Sequence, residues 1–183
     1  MWVVEHVAIG YLVWSGWSRY REGRPPTGAE FWLVLLGALL PDLVDKPLAW
    51  TFGVLPAGRS LAHSLLTASV LVVAARRVAR RRGDVTLGTA FGVAYLSHLA
   101  ADVVFPIISG RYAYTYFLLW PLLPLPYYDT SRSLVGEVLL RIPGGFSGPH
   151  LVVALLVLLV WVRDKMPGVP WAWFTWRAAG DGG

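Results

Sequence analysis

Cysteine is absent from the 183-residue chain. That excludes a disulfide framework, a thiolate zinc site and a cysteine nucleophile. Any transition metal would have to be held by histidines and carboxylates. Charge is also scarce: 15% of residues are charged, against about 25% in an ordinary soluble domain. No HExxH occurs, so the zinc-and-base helix expected of an intramembrane metalloprotease is missing. There is no GxSxG elbow and no phosphate-cradling P-loop either. No internal repeat is evident, and the length suits one domain. The first apolar stretch lacks a basic leader and already contains Glu5 and His6, which predicts a permanent first helix rather than a cleaved signal.

What is present is apolar and aromatic. Hydrophobic residues make up 56% of the chain, with ten Trp and eight Tyr whose rings favour a membrane interface. Five apolar segments stand out, at 3–17, 31–50, 61–75, 85–108 and 150–162. A span needs ~20 residues, so the first, third and fifth are expected to extend beyond their purely apolar runs. The stretch 112–128 is aromatic and broken by Pro121, Pro124 and Pro126, which reads as interfacial or re-entrant rather than a sixth span. The expected fold is an all-α polytopic membrane bundle of about five transmembrane helices. Residues 1–170 form a single integral membrane domain. In the tail, 171–183, Trp171, Trp173, Phe174 and Trp176 are expected to anchor at the interface, with frayed glycines at the end.

The formal net charge of +5 would suggest nucleic acid in a soluble protein. Here the basic residues sit in blocks between apolar segments, so they read as topology signals with no specific nucleic-acid partner. Eleven of them fall after segment one (Arg19, Arg21, Arg24), after segment three (Arg76, Arg77, Arg80, Arg81, Arg82) and in the tail (Arg163, Lys165, Arg177). Only Lys46, Arg59, Arg111, Arg132 and Arg141 lie on the other side. The positive-inside rule then puts the N-terminus outside and the C-terminus in the cytoplasm. The run Arg80–Arg82 reads as a stop signal touching anionic lipid.

Ionisable groups within lipid are costly and usually functional. His6 lies 13 residues from Arg19, Asp42 12 from Glu30, His63 13 from Arg76, and His98 14 from Asp84. At ~1.5 Å per residue, each sits about 18–21 Å from the cytoplasmic edge, in the outer half of the bilayer. Asp102 is one helical turn beyond His98 on the same face. A divalent metal would offset such a cluster of carboxylates and imidazoles in low dielectric. The ligand set read from depth is therefore His6, Asp42, His63, His98 and Asp102.

Each has a plainer alternative. His98 and Asp102 could be a hydrogen-bonded pair joining helices. His63, read as opening the third helix, could face headgroups. Asp42 follows Pro41, which could simply break a helix at the surface. His6 could be interfacial. Asp45 lies about one turn beyond Asp42 and could pair with Lys46. Glu5 points about 100° away from His6 on a helix. His150 reads as a helix-start residue, and Arg59 as a group that binds a phosphate or a lipid headgroup.

At these residues the chain resembles the YdjM-type family of membrane-bound metal-dependent hydrolases. The matching pieces are Glu5-His6, Leu39-Leu40-Pro41-Asp42, Arg59 through Leu66, Tyr95 through Asp102, and Leu118-Leu119-Trp120-Pro121, in family order over roughly the first 125 residues. Two places depart from the pattern. The family aspartate two residues after the Pro-Asp pair is Val44 here, with Asp45 one further on. The family stretch His-Arg-Gly-x-Thr-His has Gly58 at its first place and Ala62 at its fifth. A looser similarity, in ligand order only, reaches the zinc phospholipase C and P1 nuclease group. It implies one zinc on Asp42, His63, His98 and Asp102, with Asp102 bridging to a second held partly by His6.

The expected activity is a metal-dependent hydrolase of a lipid-linked or amphiphilic phosphoester. It would use one or two divalent ions, with zinc expected and manganese an alternative. Asp42 or Asp102 is the expected base and Arg59 the group that steadies the phosphate. The partner is then a membrane lipid or lipid-linked substrate. The rival is a divalent-metal carrier or scaffold without catalysis. The nearly all-apolar stretches 31–39 and 66–75 argue against a through-path for ions.

Overall fold

The structure, a computed structural model, describes residues 3–128 and 148–170. The regular elements among these residues are helices, with no strand among them. The helices are α1 (Val3–Glu22), α2 (Gly28–Lys46), α3 (Leu65–Arg81), α4 (Val85–Ile108) and α5 (Gly148–Arg163). A π-helical turn, Pro47–Thr51, extends α2, and a 3-10 helix, Tyr112–Leu119, follows α4.

Local chemistry sets the boundaries. Thr27 caps α2 in a reciprocal capping box with Glu30. The Ser64 hydroxyl accepts from Leu66 N and starts α3, and Asp84 accepts from Thr86 N and starts α4. Each such cap contributes ~1 kcal/mol. Between α3 and α4 the chain reverses at Gly83, whose φ of +86° suits a residue without a Cβ. Pro41 lies inside α2 without ending it, so Asp42 stays helical.

The helices depart from the apolar segments in three places. The third starts at Leu65, so His63 precedes it, in an irregular stretch that follows the π turn. It also runs on to Arg81, so Arg76, Arg77, Arg80 and Arg81 are helical rather than loop residues, and the last turn places cations at the negative end of the helix dipole. The first continues to Glu22. In all three the apolar run marks what is buried or lipid-compatible, whereas caps decide where the helix stops.

α4 is the central element and packs against α1, α2, α3 and the 3-10 helix, while α5 lies against α1. Small residues let these helices approach closely. Tyr11, Trp14, Val34, Ala38, Ala90 and Ala94 fill the α1–α2–α4 seam. Ala68, Phe91, Tyr95 and Leu99 fill the α3–α4 seam. At Gly37 a Cβ would lie 2.4 Å from the Phe91 carbonyl oxygen, so the α2–α4 crossing depends on that glycine.

Polarity is distributed inside out. His6, Glu30, Asp42, Asp45, His63, His98, Asp102 and Asp164 are buried, while Val70, Phe105, Ile108, Val152 and Leu159 are at least half exposed. Water would favour the reverse, and lipid permits this arrangement. By length and composition, α4 alone among the described residues is long and apolar enough to cross a membrane, and α5 is a shorter apolar helix. Five spans are therefore not established by the helices themselves. The anchoring tail, 171–183, lies outside the described residues.

Candidate metal centre

His63 and His98 define the site, and each is aimed by its Nδ1. His98 Nδ1 lies 2.7 Å from the Ala38 carbonyl oxygen. A carbonyl only accepts, so Nδ1 carries the proton and Nε2 keeps a lone pair. Pro41 has no N–H for the carbonyl one turn earlier, at Gly37, and so loosens the backbone next to Ala38. His63 Nδ1 lies 2.8 Å from Asp45 Oδ2. A carboxylate holding the far nitrogen of an imidazole is the usual support for a metal-ligating histidine. The two Nε2 atoms then face one another at 3.1 Å. Two nitrogen lone pairs at that distance repel unless a cation, proton or metal, lies between them.

Two carboxylates complete the enclosure. Asp42 Oδ1 is 3.6 Å from His63 Nε2 and 3.9 Å from His98 Nε2. Asp102 Oδ2 is 3.4 Å and 3.7 Å from the same nitrogens. Donors ~2.0–2.1 Å from a central zinc in a tetrahedron are about 3.3–3.4 Å apart. The spacings of 3.1–3.9 Å seen here fit such an ion. All four side chains are at most 6% exposed.

His6 approaches from α1. Its ring stacks on His98 with centroids 3.7 Å apart, and its Nε2 is 3.4 Å from Asp102 Oδ1. Its Nδ1 is buried without a hydrogen-bond partner among the described residues. Two groups of donors could therefore hold an ion: Asp42 with His63 and His98, and His6 with His98 and Asp102. His98 has one nitrogen to offer, its Nδ1 being committed to Ala38. The two groups cannot each hold a separate ion through it.

The structure thus brings together all five side chains singled out by depth. It assigns the neighbours differently from the sequence reading. Lys46 pairs with Asp42 Oδ2 at 2.6 Å, not with Asp45. A helix explains this: i and i+4 share a face, whereas adjacent residues diverge. Asp45 is fully buried and accepts from Ser60 N (2.7 Å), Ala62 N (2.8 Å) and His63 N (3.2 Å) as well as the His63 ring. It is a positioning residue that ties the irregular stretch before α3 to α2. Arg59 Nη2 donates to Asp102 Oδ1 at 2.8 Å. Glu5 turns away from His6 and lies 2.9 Å from His150 Nε2. Tyr95 donates to the Ala62 carbonyl, and the Ser64 hydroxyl donates to Trp120 O at 2.6 Å. Through Ser64 the 3-10 helix is fastened to the start of α3.

A second polar cluster lies toward the C-terminal end of α1. Buried Asp164 accepts from Tyr11 OH (2.7 Å), Ser15 Oγ (2.6 Å) and Arg19 Nε (2.9 Å). Glu30, also buried, takes Trp14 Nε1 and Arg24. Arg24, in the turn between α1 and α2, is held above its ordinary pKa, chiefly by its hydrogen bonds to Glu30. Arg19 and Arg24 were read from sequence only as topology charges. Their partners include two buried carboxylates, and Asp164, which the sequence reading overlooked, joins α5 to α1.

No curated protein and no solved structure matches this chain, so the looser likeness to the zinc phospholipase C group rests on ligand order alone. The model of the YdjM inner membrane protein family matches residues 1–178, which covers every residue of the site. With buried carboxylates and imidazoles enclosed by apolar helices, the chain belongs to the YdjM inner membrane protein family, and its location is the membrane.

Proposed function

We propose that the protein is a membrane-embedded metal-dependent hydrolase of a lipid-linked or amphiphilic phosphoester. One observation carries the reading: two imidazoles present opposed Nε2 atoms 3.1 Å apart, each locked by its Nδ1, with Asp42 and Asp102 alongside. Neutral histidines and carboxylates suit zinc, and also manganese. The distribution of basic residues supports a bundle of about five spans with the N-terminus outside, the C-terminus cytoplasmic and the site in the outer half of the bilayer.

A divalent ion there would supply Lewis acidity, acidifying a water and polarising a phosphoryl oxygen. His63, His98 and Asp42 would hold it, and a site with three protein ligands would keep room for a water. Asp102, whose Oδ2 lies 3.4 Å and 3.7 Å from the His63 and His98 Nε2 atoms, would accept the proton that water loses. The water oxygen forms the new P–O bond as the ester P–O bond breaks, and a proton returns to the departing alkoxide. Arg59 and Lys46 balance the carboxylates and meet the phosphate.

The non-catalytic alternative, a metal carrier or scaffold, is favoured by the four-donor enclosure, because closed four-ligand sites are structural. Asp102→Asn separates the two. Metal analysis of purified wild type, His98→Ala and Asp102→Asn, followed by a phospholipid and phosphoester hydrolysis screen, tests the assignment. The hydrolase reading expects metal in the wild type, its loss in His98→Ala, and metal without turnover in Asp102→Asn. Wild type that takes up no divalent ion overturns it. Metal lost from Asp102→Asn, with no hydrolysis by the wild type, favours the scaffold.

A further inference from the structure

Lys46 and Arg59 differ from every other residue of the centre in reaching its surface. Their side chains are 21% and 28% exposed, whereas the four donors beside them are nearly or fully buried. Each cation grips the outer oxygen of a carboxylate whose inner oxygen faces the histidine pair: Lys46 on Asp42 Oδ2, Arg59 on Asp102 Oδ1. The Lys46 ammonium also lies 5.8 Å from the Trp50 ring, which walls the same side. The exposed side of the centre, where an anion would enter, therefore carries two cations that sequence spacing does not relate, one from the end of α2 and one from the irregular stretch before α3.

The charges around that entrance can be counted. Asp42, Asp45 and Asp102 contribute three negative charges, and Lys46 and Arg59 two positive. His63 and His98 are neutral when each turns its Nε2 to an ion. Glu5 is engaged with His150 on another side of α1. With one divalent ion, these groups together carry a net charge of +1. Net charge buried in low dielectric is costly, so the favoured ligand is the one that cancels it. A phosphodiester carries one negative charge and leaves the centre neutral. It remains neutral if the proton lost by water stays on a nearby carboxylate. A phosphomonoester above its second pKa carries two charges and leaves the centre negative.

We propose that Lys46 and Arg59 form a two-cation entrance that selects a singly charged phosphodiester over a doubly charged phosphomonoester. The inference rests on the metal-dependent reading above and deepens it by naming the substrate class and Lys46 as a specificity residue.

The test uses the full chain in detergent, loaded with Mn2+, whose paramagnetism relaxes 31P nuclei close to it. The probes are dimethyl phosphate and methyl phosphate at pH 8, about two units above the second phosphate pKa. Metal content is measured first. Dimethyl phosphate is expected to bind at least about tenfold more tightly than methyl phosphate, a 1.4 kcal/mol difference. Lys46→Ala should weaken dimethyl phosphate by about tenfold, and Lys46→Arg should keep it within about threefold. Methyl phosphate binding as tightly as the diester overturns the inference, as does a metal-loaded Lys46→Ala with unchanged diester affinity. If Lys46→Ala does not fold, the comparison of the two probes on wild type decides alone. Wild type that takes up no metal overturns the parent reading before any phosphate is added, and the inference with it.

Discussion

Replacing Asp45 by Asn is the most informative single change to the centre, because it removes one charge and almost no volume. Asp45 Oδ2 accepts from Ser60 N, His63 N and the His63 ring, and Oδ1 accepts from Ala62 N. An amide can place its oxygen at Oδ2 and keep three of those bonds, but its NH2 then meets the Ala62 N–H as donor against donor. The bonds that remain lose their charge. A hydrogen bond to a charged group contributes about 1.5–3 kcal/mol, and an orphaned buried donor costs about 1–3 kcal/mol. A destabilisation of about 2–4 kcal/mol follows for Asp45→Asn, and more for Asp45→Ala, which abandons four donors. Because Asp45 also holds the His63 imidazole, metal affinity should fall by about 10–100-fold, the usual effect of losing the support behind a metal-ligating histidine. Zinc competition against a chelator in detergent reads the affinity, and a thermal melt reads the stability. An Asp45→Asn protein with wild-type zinc affinity would refute the placement of Asp45 behind His63.

Three further outcomes are expected. Gly37→Ala puts a Cβ 2.4 Å from Phe91 O, which should cost about 1–3 kcal/mol through displacement of α2 from α4 and lower the melting temperature in detergent; an unchanged melt would contradict the close crossing. Acidification should release the metal, because His63 and His98 must each present an unprotonated Nε2 to hold it and protons compete for those atoms; metal retained by dialysis at pH 4 would argue against histidine ligation. Asp164→Ala leaves Tyr11, Ser15 and Arg19 without their shared acceptor, so α5 should become more accessible to protease while metal content stays at the wild-type level; unchanged proteolysis would show that the cluster does not hold α5.

The metal-centre side chains were legible in the sequence because a membrane makes ionisable groups conspicuous. His6, Asp42, His63, His98 and Asp102 stand out against apolar surroundings, and their similar distances from the expected cytoplasmic edges, at Arg19, Glu30, Arg76 and Asp84, grouped them. The pairings among them were less legible. Lys46 lies next to Asp45 in sequence, but helical geometry turns it toward Asp42. Asp45 serves amides 15 to 18 residues away, through a stretch whose course no periodicity encodes. His63 was read as helical because the apolar run begins at Leu61, yet the cap at Ser64 starts the helix at Leu65, two residues after it. Asp164 directly follows Arg163 in a basic tail, and its partners on α1 lie about 150 residues earlier. Pairings of that range leave no local trace.

Connecting segments ordinarily tolerate changes of length, since their backbone groups turn to solvent. The segment between the π turn and α3 is built otherwise. The amides of Ser60, Ala62 and His63 all converge on the single carboxylate of Asp45, much as threads on a hook. Inserting or deleting one residue there would re-index which amide meets which oxygen and carry the His63 ring away from its opposite number. In this chain the count from Asp45 to His63 is therefore held fixed, and changes of length should be tolerated better in other connections.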